Sequence, residues 1–153
     1  MSKNILTVLL LLLCAGCLAQ SKNPLYDAEL AKKLGADEYG MKTYVMAFLK
    51  TGPNRLKDSI AREELQKAHL KNIIRLANEG KLIVAGPFLD NQDIRGIFIF
   101  NVSSVEEAKK LTETDPAVKA GSLIMELHPW YGSAGLAEAF KLHKKIEKTS
   151  VAD

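Results

Sequence analysis

The chain has 153 residues, room for one domain with appendages but not for two full ones. Hydrophobic residues make up 47% and charged residues 25%, the ordinary globular balance, which excludes disorder and fibrous repeats. A net charge of +3 is too mild for nucleic acid as the main partner, and three His with two Cys leave few ways to build a transition-metal site from side chains.

Residues 1–19 read as a cleaved signal peptide. Lys3 supplies a basic start, and the apolar stretch from Ile5 that ends in Leu9–Leu13 falls far short of the roughly 20 residues that span a bilayer. Small residues follow at Ala15, Gly16 and Ala19, completing the charged, apolar, small-residue order of a secretory leader. Cys17-Leu18-Ala19 suits a cut before Gln20. Cys14-Ala15-Gly16-Cys17 also resembles a bacterial lipobox, although Cys14 stands where Leu is usual. In that alternative Cys17 is lipidated and tethers the chain to a membrane; otherwise no membrane contact is expected. The expected location is periplasmic or secreted, with a membrane-anchored lipoprotein as the alternative. Either cut removes any thiol pair, so the domain folds in an oxidising compartment without disulfides.

Residues 20–41 form an N-terminal extension, irregular at Asn23-Pro24 and then a short helix over Asp27–Leu34 stopped by Gly35. The main domain spans residues 42–132. Its first strand runs from Lys42 to Leu49, rich in β-branched and aromatic residues, and Thr51-Gly52-Pro53-Asn54 is a turn. A long helix follows from Ser59 to Glu79. Leu65, His69, Ile73 and Leu76 form one stripe on it, widened by Leu70, Ile74 and Ala77, with Asn72 and Arg75 assigned outside; Gly80 stops it. Leu82–Leu89 reads as a buried strand, residues 90–93 as a hairpin link, and Gly96–Val102 as its partner. Ile97, Ile99 and Val102 would serve one face of that strand, Phe98 and Phe100 the other. Ser103 or Ser104 with Glu106 or Glu107 makes a capping box that opens a second helix, which Asp115-Pro116 ends. Ser122–His128 is the last strand, terminated by Pro129-Trp130.

This order, βαββαβ, predicts the α+β ferredoxin-like plait, with both helices on one face of the sheet and the other face in need of cover. Homodimerisation through the open face is the expected answer. Residues 133–153 form a helical tail: Leu136 to Lys148 is amphipathic with a basic side, and is expected to dock on its own domain or on a dimer partner.

His69 lies on the apolar stripe, where an imidazole needs a hydrogen-bond partner. Its plain structural role is a bond to a backbone carbonyl. Asp115 has a strong structural role as helix cap, followed by Pro116 at the first position and Gly121 as stop. A capping carboxylate still has a second oxygen, and an Asp that orients a His and stabilises its cation is a familiar device for general base work. Gly86-Pro87, whose plain structural role is a turn, and Trp130, which near a strand end is more often core, are candidate walls of a substrate pocket. His128 and His143 lack a spaced acidic or thiolate partner, so no metal is expected, and no phosphate-cradling loop points to a cofactor.

His69-Leu70, the run from Glu79 through Gly86-Pro87 to Phe88, the run from Thr114-Asp115-Pro116 to Gly121, and His128-Pro129-Trp130 together resemble the YCII-related (YciI-like) family. The resemblance covers about Lys42 to Trp130. It implies a plait that dimerises into an α+β barrel and a His–Asp active site, which falls on His69 and Asp115. Relatives include dehydrochlorinase-type lyases, and the wider superfamily includes isomerases and monooxygenases of small organic molecules. The expected function is therefore metal-free proton transfer on a small-molecule ligand. The alternative is a noncatalytic periplasmic module in which the pair is structural and the cleft only holds a ligand.

Overall fold

The computed structural model describes residues 23–90 and 92–151; the leader, with Cys17 and both candidate cleavage sites, lies outside the described residues. Two compact units divide between Leu30 and Ala31. The described part of the first opens helix α1 (Ala28–Leu34), where Asp27 Oδ1 accepts the Leu30 N–H at 2.9 Å, the capping bond expected of an Asp before a helix.

The second unit contains β1 (Met41–Thr51), α2 (Ser59–Asn78), β2 (Leu82–Pro87), β3 (Ile94–Phe100), α3 (Val105–Thr112), the short α4 (Pro116–Lys119), β4 (Leu123–Ser133), a 3-10 turn (Ala134–Glu138) and α5 (Ala139–Ile146). The strands form one antiparallel sheet in the order β2-β3-β1-β4. The α+β arrangement is that of a ferredoxin-like plait.

Local chemistry sets the element ends. Asp58 caps α2 by accepting the Ile60 and Ala61 N–H groups, and Ser104 caps α3 by accepting the Glu107 N–H. Gly80 and Gly121 leave their helices at φ 68° and 67°, a region costly for any other residue.

Alternation along the strands separates two clusters. Val45, Ala47, Leu49, Phe98 and Phe100 pack under Leu76 of α2 and Ala108 of α3. Burying each large side chain in this layer is worth about 1.5–3 kcal/mol. On the opposite face Tyr44, Ile83 and Ile99 are buried, with Leu136 of the 3-10 turn and Trp130 against them. The Tyr44 hydroxyl donates to the Ser133 carbonyl at 3.0 Å, and burial pushes its phenol above the usual tyrosine value. The tail thus docks on its own domain through Leu136, while α5 itself buries no residue.

Several boundaries differ from the sequence reading. Pro129-Trp130 does not end the last strand: β4 continues to Ser133, with Pro129 opposite Val45 and Trp130 opposite Tyr44. Proline is tolerated because β4 is an edge strand, with pairing required on one side alone. Val102 lies past the end of β3 and joins the Phe98–Phe100 cluster rather than Ile97 and Ile99, because a period of two carries it onto the face of the even-numbered residues. The amphipathic tail is split, a 3-10 turn preceding α5.

Candidate active site

Helical spacing puts Leu65, His69 and Ile73 one turn apart on α2, facing the sheet. Between them and the strands lies a cavity of about 850 Å³. Leu49, Phe98, Gly86 and Pro87 line its sheet side.

The backbones of β2 and β3 approach closely at this wall. A Cβ at Gly96 would sit 2.5 Å from the Gly86 carbonyl oxygen, so a side chain there is excluded. A Cβ at Gly86, by contrast, would meet nothing within 4 Å. Gly86 and Pro87 line the cavity, but the tight approach belongs to Gly96.

His69 is buried and its ring stacks on Phe98, with centroids 6.0 Å apart and planes 14° from parallel. Nδ1 lies 2.8 Å from Asp115 Oδ2. Asp115 is 1% exposed, caps α4, and accepts the Ala117 N–H on Oδ1 at 2.8 Å. One carboxylate thus serves as both cap and histidine partner, one oxygen for each. An ionised carboxylate only accepts, so opposite one Nδ1 is the donor, and in the neutral form of such a ring Nε2, on the opposite edge, holds the lone pair. His69 lines the cavity.

A supporting group escaped the sequence reading. Asn72, assigned outside the apolar stripe, is buried, and its Nδ2 donates to Asp115 Oδ2 at 3.4 Å. Its Oδ1 accepts from Arg75 at 2.8 Å, and Arg75 also donates to Thr114 Oγ1 and Glu79. The signal was present as an amide three residues after His69 on the same side of the helix. A polar residue there reads as solvent-facing until its buried partner is known. Three arginines, Arg55, Arg62 and Arg95, also line the cavity and were not singled out.

Trp130 is elsewhere. It packs on Tyr44, ring centroids 5.9 Å apart, in the cluster on the other face of the sheet, because strand alternation turns it away from α2. It does not line this cavity. His128 does have an acidic neighbour, Glu126 at 2.9 Å, and His143 has Glu147 at 3.4 Å, but no group of three or more candidate metal ligands gathers among the described residues.

The family model described as YCII-related domain matches residues 43–131. No curated protein matches the chain. Among solved structures, the 5-chloro-2-hydroxyhydroquinone dehydrochlorinase of Burkholderia phenoliruptrix AC1100, in complex with 2,5-dihydroxybenzoquinone, is 26% identical over 56% of this chain and 92% of its own, with a TM-score of 0.42. The family match spans more than half of the chain and takes in His69, Gly86-Pro87 and Asp115, so this protein belongs to the YCII-related domain family.

Proposed function

We propose that the protein is a small-molecule enzyme that moves a proton, with His69 as general base and Asp115 as its positioning residue. The observation that carries this is the buried 2.8 Å His69–Asp115 bond on a histidine that lines a cavity large enough for a small organic molecule. Nε2 takes a proton from an acidic C–H or O–H of the bound molecule, and Asp115 stabilises the imidazolium that results. The electron pair left behind either expels a leaving group from the neighbouring carbon, a lyase outcome, or is reprotonated at another carbon, an isomerase outcome. The side chains needed for this are His69 and Asp115 themselves; neither outcome calls for a metal or cofactor. A cleft with no opening to solvent at His69 would favour the noncatalytic module; His69 is buried and lines the cavity.

Hydrogen–deuterium exchange tests the reading before the substrate is known. The protein is incubated in D₂O with β-diketones, 2-oxo acids and hydroxylated cyclohexadienones, and deuterium at the acidic carbon is read by NMR. Wild type should accelerate exchange in at least one class, and His69→Gln should abolish it. Exchange that survives this substitution, or none in any class, overturns the proposal.

Two further features belong to it. The leader directs export, with cleavage before Gln20 or lipidation at Cys17; the intact mass of protein from its native host decides between them, and a retained Met1 counts against both. The chain also works as a homodimer, through the part of the open sheet face left uncovered by Leu136. Met46, Phe48 and Ile97 are half-buried there, and Ile124 is exposed. Sedimentation equilibrium reporting a monomer at high concentration excludes it.

A further inference from the structure

The cavity is cationic as well as apolar. Arg55, Arg62 and Arg95 line it, and among the described residues no Asp or Glu does. None of the three forms an ion pair among the described residues. Among the described residues Arg62 donates to the Leu56 and Lys57 carbonyls alone, at 3.4 and 3.5 Å, the long end of hydrogen bonding. Of the acids near Arg62, Asp58 caps α2, Glu63 pairs with Lys67 at 2.7 Å, and Glu64 does not line the cavity.

Two placements run against local preference. Arg62 sits in the first turn of α2, where the helix dipole disfavours a cation. Arg95 is the residue at which the β1–β3 register slips: Leu49 faces Gly96 and Lys50 faces Ile94, so Arg95 has no opposite number. Such a bulge breaks alternation, and here it brings Arg95 to the cavity along with Gly96. Strict alternation would have grouped Arg95 with Ile97 and Ile99, on the other face.

We infer that the cavity binds a small organic acid, its carboxylate held by Arg55, Arg62 and Arg95 and its hydrocarbon body against Leu65, Ile73 and Phe98. Guanidinium is permanently charged, and its planar fork matches a carboxylate with two parallel bonds. This deepens the proton-transfer reading and rests on it for the role of the site. Removing a proton from a bound anion builds a second negative charge, and fixed cations in the cavity wall stabilise that charge as it develops.

Binding, not turnover, tests it. Benzoate and 2-naphthoate are titrated against their neutral amides, benzamide and 2-naphthamide, by calorimetry, with amide-resonance shifts locating the site. At least one acid should bind at least tenfold more tightly than its amide. It should shift resonances of α2 and β3 around His69 and Phe98. Arg62→Gln and Arg95→Gln should each weaken the acid roughly tenfold or more while leaving the melting curve nearly unchanged, and Arg95→Lys should lose less. Equal binding of acid and amide, no acid binding up to about 10 mM, shifts confined to another surface, or indifference to both glutamine substitutions overturns the inference. His69→Gln should keep acid binding while losing exchange. Loss of acid selectivity with exchange intact removes the inference alone; acid selectivity without exchange in wild type removes the proton-transfer reading alone.

Discussion

Asp115 receives three donors on two buried oxygens: the Ala117 N–H, His69 Nδ1 and Asn72 Nδ2. Asp115→Asn keeps an oxygen for the cap, since Asn caps about as well as Asp. It presents an NH₂ to His69, however, so the ring must shift its proton to Nε2 to accept that donor. The base is then lost without loss of the fold. Turnover should fall by roughly three to four orders of magnitude, stability by only about 1–3 kcal/mol, and ¹⁵N NMR should report the switched tautomer. Asn72→Ala removes one donor from Asp115 and leaves Arg75 and Thr114 without their amide oxygen. Chemical denaturation should show a loss of about 1–3 kcal/mol, with a smaller drop in turnover than Asp115→Asn gives.

Among the elements, β2 and β3 meet at a contact where two glycines have opposite tolerances. Gly96→Ala forces a methyl against the Gly86 carbonyl, backbone against backbone, and relief requires one strand to move. A loss of about 1–3 kcal/mol is expected on denaturation. Gly86→Ala meets open space and should leave stability near that of wild type. If both substitutions proved equally harmless, the close β2–β3 approach that shapes the cavity wall would be wrong. Gly52 carries a similar constraint, because a Cβ there would lie 2.1 Å from the Gly121 carbonyl oxygen. That contact locks the β1–α2 loop against the end of α4, the element that Asp115 caps.

On the scale of the whole molecule, the segment before β1 is tied to the far end of β4 by Asp37. Its carboxylate accepts the Tyr39 and Met41 N–H groups and the Tyr131 hydroxyl. The Tyr131 bond holds Asp37 below its usual 3.8 and pushes the Tyr131 phenol up to about 12. A lowered carboxylate contributes stability above 3.8 and loses it as pH falls below that value. A raised phenol contributes below 10 and loses it as pH climbs toward about 12. Both groups are exposed, so the effect is small. Thermal melts of wild type and Tyr131→Phe should differ most between those limits and converge in acid and in strong alkali. A constant difference across pH would show that the clamp does not involve these two ionisations.

The sequence by itself determined the parts that depend on neighbours along the chain. Period and capping chemistry located α2 between Ser59 and its glycine stop, the Asp115-Pro116 start of α4, and the βαββαβ order, because hydrogen-bonded turns and alternating faces are short-range properties. It also marked His69 as a buried polar group in need of a partner. What answered that need lies 46 residues away, and the bond length, the supporting Asn72 and the cavity exist only once α2 and α4 pack on the sheet. Trp130 shows the same limit from the other side: a residue near the end of a strand reads as core or as pocket wall until the register opposite Tyr44 decides which face it occupies. Arg95 shows it again, since its access to the cavity comes from a register slip between two strands, which neither strand's own sequence records. Faces, registers and partners are set by packing between distant segments, and there the tertiary structure alone decided.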